Sequence, residues 1–420
     1  MAERHLGKLE NAFMDLSHAI QINPKDCIAY SERALVNYQK ANLDYAIADA
    51  TKSINLNETN LVAFYTRGLA EYDKTNLLDA NADFIRVIQL NPKSARSYDY
   101  LGRICFAQTN DDVAIGYFSH AIKLNPTYYL VYEHRAMVKK EKGDWDGAIE
   151  DLNSAIKLNS TNSILYARRA YLKNQKDDWD GSIADCDRAC ELDSKNVFAY
   201  QNRAMAKQKK HDYDGAISDY SKIIEFEPKD YVAYDERGLT LRAKGDLDGA
   251  ISNYNESIRI NPKNFRPFSY RAFVETKQGR FDDAIIDLNR SIELKPTNAI
   301  SYNDRAWNKV QVGDSAGAIT DAVRAINFNP TNGHIYGTLG WAYYEIGETN
   351  KALEDCQKAV SFFKTNSLEF DFDQGMIDFI NGENEKAIAL WEQALKQDQT
   401  LNHQLQPWIE KAKAKAGGGK

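Results

Sequence analysis

Long apolar runs are missing from this chain: nowhere in its 420 residues do hydrophobic positions approach the roughly 18 in succession that a membrane span requires. Residues 1–13 also lack the apolar core of a secretory signal, so the sequence as it stands reads as cytoplasmic. Cysteine is scarce. An odd five (Cys27, Cys105, Cys186, Cys190 and Cys356) without a common spacing excludes a disulfide framework. Cys186 and Cys190 lie one helical turn apart, but at phases where other parts of the chain place Leu, Tyr, Ala or Ile, and read as small packing hydrophobes. The seven histidines form no pair at metal-ligand spacing. Blocks of one charge are missing too: 53 Lys and Arg interleave with 60 Asp and Glu for a formal charge of -7. Without a basic stripe, nucleic acid is not expected as a partner. There is no phosphate-cradling glycine loop and no nucleophile in a recognised turn, so neither catalysis nor a cofactor is expected.

What the chain has is a beat. Arg135, Arg169, Arg203, Arg237, Arg271 and Arg305 stand 34 residues apart, with Arg33 and Arg67 in the same register. Pro92, Pro126, Pro228, Pro262, Pro296 and Pro330 share a second phase, and Ala114, Ala148, Ala216, Ala250, Ala284, Ala318 and Ala352 a third. A fixed period of this length marks a repeat array, one elongated body without an internal linker, whose function lies on its surface.

Units counted from Cys27 begin at 27, 61, 95, 129, 163, 197, 231, 265, 299 and 333. Position eight is always Ala or Gly and position four always aromatic, which predicts a first amphipathic helix of about 13 residues making a close backbone approach. Gly143, Gly245, Gly279, Gly313 and Gly347 suit the left-handed residue that closes it. A second helix follows on the pattern of Ala148–Ile156 and Ala216–Ile224, and Asn-Pro or its substitute ends it.

This unit resembles the tetratricopeptide repeat in its aromatic at four, Gly or Ala at eight, Ala at twenty, Ala or Ser near twenty-seven and Pro at thirty-two. The resemblance implies an all-α fold, a right-handed superhelical solenoid of antiparallel helix pairs, with about eleven to twelve repeats. Residues 1–26 match only a second helix, 27–366 hold ten tandem units, 367–401 a degenerate unit, and 402–420 a capping helix with a glycine tail. The start has the look of a cut through a longer protein, or of a face awaiting a partner helix.

One departure recurs: arginine stands at position seven where the family has leucine. Arg33, Arg67, Arg135, Arg169, Arg203, Arg271 and Arg305 are followed 16 residues on by Asp49, Asp83, Asp151, Asp185, Asp219, Asp287 and Asp321. Where the arginine gives way to Leu101 the acid gives way to Tyr117, whereas Arg237 faces Asn253 and Leu339 leaves Asp355 alone. The coupling predicts structural ion pairs that tie each first helix to its second and set their register, suited to the planar guanidinium fork. Grip on an acidic ligand is the alternative.

The resemblance also implies that first helices line the inner face, with position nine about 150° from the centre of the intra-repeat core by the helical period. It reads Leu35, Leu69, Arg103, Met137, Tyr171, Met205, Leu239, Phe273, Trp307 and Trp341, an apolar and increasingly aromatic stripe. Two readings stand: packing between adjacent first helices, or a peptide-binding groove anchored by Trp307 and Trp341. The family's clamp for chaperone tails is absent, for Asn202 fits its middle element while Ala167, Tyr171, Val232 and Glu236 stand where its other ligands belong. The function expected is a non-enzymatic scaffold for a peptide or protein segment, with self-association through the solenoid ends as the alternative, and no nucleic acid or membrane as partner.

Overall fold

The computed structural model describes residues 2–365 and 367–417. Asn366 and residues 418–420, where the sequence places the end of the tenth unit and the glycine tail, lie outside the described residues. The described residues form helices joined by short turns, without a strand. They divide into two compact units, Met1–Ala206 and Lys207–Lys420, at a point inside one helix and not in a linker.

In the first unit α1 (Ala2–Ile22) is followed by the pairs α2 (Cys27–Gln39) and α3 (Leu43–Leu56), α4 (Leu61–Asp73) and α5 (Leu77–Leu90), α6 (Ala95–Ala107) and α7 (Asp111–Leu124). Then come α8 (Tyr129–Glu141) and α9 (Trp145–Leu158), α10 (Ser163–Gln175) and α11 (Trp179–Leu192), and α12 (Val197–Lys209), within which the division falls. The second unit continues with α13 (Tyr213–Phe226), α14 (Tyr231–Lys244) and α15 (Leu247–Ile260), α16 (Arg266–Lys277) and α17 (Phe281–Leu294), α18 (Ala299–Gln311) and α19 (Ser315–Phe328). It closes with α20 (Gly333–Glu345) and α21 (Thr349–Val360), α22 (Leu368–Ile380) and α23 (Asn384–Gln397), a 3-10 turn at Gln399–Leu401, and α24 (Asn402–Gly417).

The beat has a local cause at every joint. Second helices stop where Asn91 and Asn125, each before a proline, take extended backbone with φ near -138° and -139°. They start where Asp144, Asp178, Asp212, Asp246 or Asp314 accepts the backbone N–H of the glycine three residues on, at 2.9 to 3.0 Å. Any side chain on Gly147 or Gly181 would collide with that capping carboxylate, so the cap and the glycine form one device.

Close approach within a pair is matched in size. Position eight faces the residue 16 further on. Gly68 and Gly102 meet Phe84 and Phe118, and Gly238 meets Tyr254, whereas Ala136 and Ala272 pack with Leu152 and Leu288. In these five pairs glycine goes with an aromatic and alanine with an aliphatic, which holds the filled volume steady at native packing density, whereas Gly340 meets Cys356. Cys186 occupies this facing position opposite Ala170, fully buried, and burial pushes its thiol up to about 12.

The arginines form forks. In Arg33, Arg67, Arg135, Arg169, Arg271 and Arg305, Nε and Nη2 donate to both oxygens of the aspartate 16 residues on, at 2.5 to 2.9 Å. The third nitrogen reaches the other way. Nη1 donates to Ser17, Thr51, Ser119, Asn153, Asn255 and Asn289 on the preceding second helix, at 2.5 to 3.2 Å. One guanidinium thus joins three helices. Arg203 and Asp219 belong to different units: in the first, Arg203 Nη1 donates to Asp187 at 2.6 Å, and in the second, Lys207 Nζ pairs with Asp219 at 2.9 Å. Arg237 makes the neutral version, with Asn253 at 2.8 Å and Ser221 at 3.0 Å. Asp355, whose unit has Leu339 instead, is pushed up to about 6 by burial and by Glu354.

Two predictions follow from these joints. The closing position of the first helices holds Thr75 and Thr109 at φ of 63° and 61°, where β-branched residues are strained and Gly143 and Gly245 are not. Thr75→Gly and Thr109→Gly are each expected to stabilise by about 1 kcal/mol in chemical denaturation; a loss of stability would show that the turn tolerates threonine without strain. For the forks, the neighbourhood decides the cost. Asp321 keeps Lys309 at 2.9 Å when Arg305 is removed, whereas Asp83, pushed upward by burial and to a lesser degree by Glu71, is left beside that glutamate. Arg67→Leu should cost about 3–5 kcal/mol and Arg305→Leu distinctly less, with Asp83→Leu restoring most of the Arg67→Leu loss. Equal costs for the two arginines would refute the assigned contacts.

Candidate functional site

The first helices of each unit present the position-nine stripe, and its members have different fates. In the first unit Leu69 is buried, and Leu35, Met137, Tyr171 and Met205 are half-buried. Met137 and Tyr171 line an open hollow of about 550 Å³ with Ile164, Phe198 and the Arg168–Glu133 pair, 2.5 Å apart. Asn202 does not face it: the residue is 4% exposed, its amide donates to the Phe198 carbonyl at 2.7 Å, and its own carbonyl accepts from Asn174 at 3.0 Å.

In the second unit Leu239 is half-buried and Phe273 is 41% exposed, with Arg242 and Lys277 poised over its ring at 4.6 and 5.6 Å. Trp341 corrects the expectation of a surface anchor. It is 0% exposed and sits among Phe372, Trp391 and Trp408 with ring centroids 4.9, 5.9 and 4.8 Å away. The reason is α24, which the sequence shows only as a closing helix. The segment that leads into it, from Asp398 through the 3-10 turn to its first turn, folds back onto the first helices of the same unit. Gln404 accepts from Trp307 Nε1 at 3.0 Å across 97 residues, and Asp398 pairs with Lys277 at 2.5 Å across 121. No 34-residue pattern carries such contacts, which is why repeat logic could not find them.

Between this segment and α16, α18, α20 and α22 remains an open hollow of about 370 Å³. Phe273, Trp307, Phe372, Leu368 and Leu401 give it apolar walls, and Asn303, Asp304, Asn308, His334, Thr338, Glu369 and Asp373 bring polar groups to it. Trp307 and Phe372 meet edge to face at 5.4 Å. Burial pushes the carboxyls of Asp304 and Asp373 up to about 7, offset only partly by the Asn303 amide and the Trp341 indole respectively. Of the stripe residues, the structure therefore brings Phe273 and Trp307 together at one hollow and Met137 and Tyr171 at another.

Helix pairs on a 34-residue period define an α-helical repeat protein. Models of the tetratricopeptide repeat match residues 65–129 in one case and residues 199–230, 231–264 and 333–366 in another, and the chain is a tetratricopeptide-repeat protein. No curated protein matches it. Among solved structures it is similar to a tetratricopeptide repeat protein from Parabacteroides merdae, at 20% identity and TM-score 0.48, over 60% of this chain and 98% of that one. It is similar to yeast Tom70 at 16% identity and TM-score 0.43, over 95% and 96% of the two chains. YrrB, described as having an unusual peptide-binding site, shows 18% identity and TM-score 0.40, over 44% of this chain and 95% of its own. Likeness at these levels carries no argument about ligands. Among the described residues no helix is long and apolar enough to cross a membrane.

The buried carboxyls make a pH prediction. A carboxyl raised in the folded state binds its proton more tightly folded than unfolded, so it lowers stability as pH climbs from about 4 through about 7. The melting temperature should therefore rise between pH 8 and pH 6, and Asp304→Asn with Asp373→Asn should flatten that rise. An undiminished pH dependence in the double variant would assign it to other groups.

Proposed function

We propose that the protein is a non-enzymatic scaffold that binds a peptide segment of a partner in the concave hollow of its second unit. The tetratricopeptide fold is that of an interaction scaffold, and one observation carries the finer reading. Phe273 keeps a large aromatic ring 41% exposed in the lining of an open hollow that mixes apolar walls with polar groups. Interface hot spots have this make-up, a rigid aromatic beside a desolvated pocket. Nucleic acid remains unsuited by charge, and five free cysteines are in keeping with the cytoplasm.

The test uses peptides selected from a displayed random library against the immobilised full chain. Phe273→Ala should weaken the selected peptide by about 2 kcal/mol with the melting temperature unchanged. Trp307→Ala should lower both, because its indole also holds Gln404. A fall in melting temperature for Phe273→Ala without loss of binding would make the ring a packing residue, and selection of no peptide would remove the reading. Light scattering across concentration separates it from end-to-end stacking: a constant mass supports the hollow, and growth with concentration supports assembly through the ends.

A further inference from the structure

We propose that the hollow in the second unit receives a cationic side chain, the guanidinium or ammonium end of an arginine or lysine in the bound peptide. The inference deepens the peptide-binding reading and rests on it. Six buried aspartates of the chain are met by an arginine fork, whereas the buried Asp373 and the half-buried Asp304 of this hollow have none, as is also true of the buried Asp99, Asp235, Asp371 and Asp378. Asp373 is 5% exposed and accepts a single bond from Trp341 Nε1 at 3.1 Å, and neither it nor Asp304 pairs with a cation. Glu369 adds a third carboxylate to the lining. The one lysine at the rim, Lys277, is engaged by Asp398.

A carboxylate buried without a partner is costly, and a cation brought by a ligand removes that cost. Space for it is built in. A Cβ at Gly337 would stand 2.5 Å from Asp373 Oδ2, so glycine at that position of α20 is what admits the carboxylate. A second group points the same way: Asn303 Oδ1, also in the lining, is shielded from solvent and has no hydrogen-bond partner, an acceptor awaiting a donor. The walls complete the match. Phe273, whose ring already carries Arg242 and Lys277, can flank the alkyl stem of an arginine or lysine, and Trp307 and Phe372 add ring faces that attract its charged end. An acidic peptide would meet three carboxylates here, and a purely apolar one would leave Asp304 and Asp373 without a cation and Asn303 Oδ1 without a donor.

The test uses the full chain, the selected peptides and calorimetry. A basic residue should recur at one position of the selected peptides. Its replacement by norleucine, which keeps the stem and loses the charge, should weaken binding at least tenfold. Asp304→Asn and Asp373→Asn should each do the same without lowering the melting temperature. Affinity should also rise about tenfold from pH 6 to pH 8, as Asp304 and Asp373 shed protons in a hollow that Glu369, His334 and Lys277 also face. Selected peptides that lack a basic residue and bind equally well after Asp304→Asn would overturn the cationic pocket while leaving peptide binding intact. If no peptide is selected, agmatine and n-butylamine serve as free probes. Heat of binding that Asp304→Asn abolishes would retain the cation chemistry and overturn the peptide as its source, and no heat with either probe would overturn both readings.

Discussion

A single guanidinium that joins three helices is the constraint on which most of this protein depends. Shape and hydrophobicity alone hold stacked helices together but let them slide, because apolar contact is non-directional. The fork is directional. Two nitrogens of Arg135 fix Asp151 on the helix that follows and the third fixes Ser119 on the helix before, so pairing within a repeat and stacking between repeats are set by one side chain. Desolvation offsets much of the attraction, which makes register, more than net stability, the gain.

Packing agrees with the forks because both run on the same spacing. The residue after each arginine is the small one, and it faces the residue after each aspartate. Gly68 beside Arg67 therefore receives Phe84 beside Asp83, as Ala136 beside Arg135 meets Leu152 beside Asp151. Polar specificity and apolar filling are thus set by adjacent residues on the same two faces. Of the units that abandon the fork, one changes both sides, Leu101 being accompanied by Tyr117 and Ile85, and the other changes one, Leu339 being accompanied by Val323 but still by Asp355.

The hollow of the second unit arises where this regularity ends. α22, α23 and α24 lack the arginine ladder and rely on a cluster of Trp341, Phe379, Trp391 and Trp408. The chain between α23 and α24 meets α16 through Asp398, and the first turn of α24 meets α18 through Gln404. The open hollow left there takes apolar walls from Phe273, Trp307, Leu368, Phe372 and Leu401, and carboxylates without a cation from α18, whose fork faces elsewhere, and from α22, which has none.

Everything that depends on contacts 16 residues apart was legible in the sequence: helix pairs, their stops, the small residue at position eight and the six forks. The backward bond to the preceding helix was not read from the sequence, although its trace stands there in the polar Ser17, Thr51, Ser119, Asn153, Asn255 and Asn289 against Ile85 and Val323 where the arginine is missing. Such contacts repeat, so each copy confirms the others. The fate of the aromatic stripe was not legible. Trp307 and Trp341 share one phase, yet the first borders an open hollow and the second is fully buried. Asn202 likewise keeps the phase of a groove residue while its amide is spent inside its own unit. These outcomes rest on contacts 97 and 121 residues apart that occur once, and a pairing without a repeat leaves no period to read.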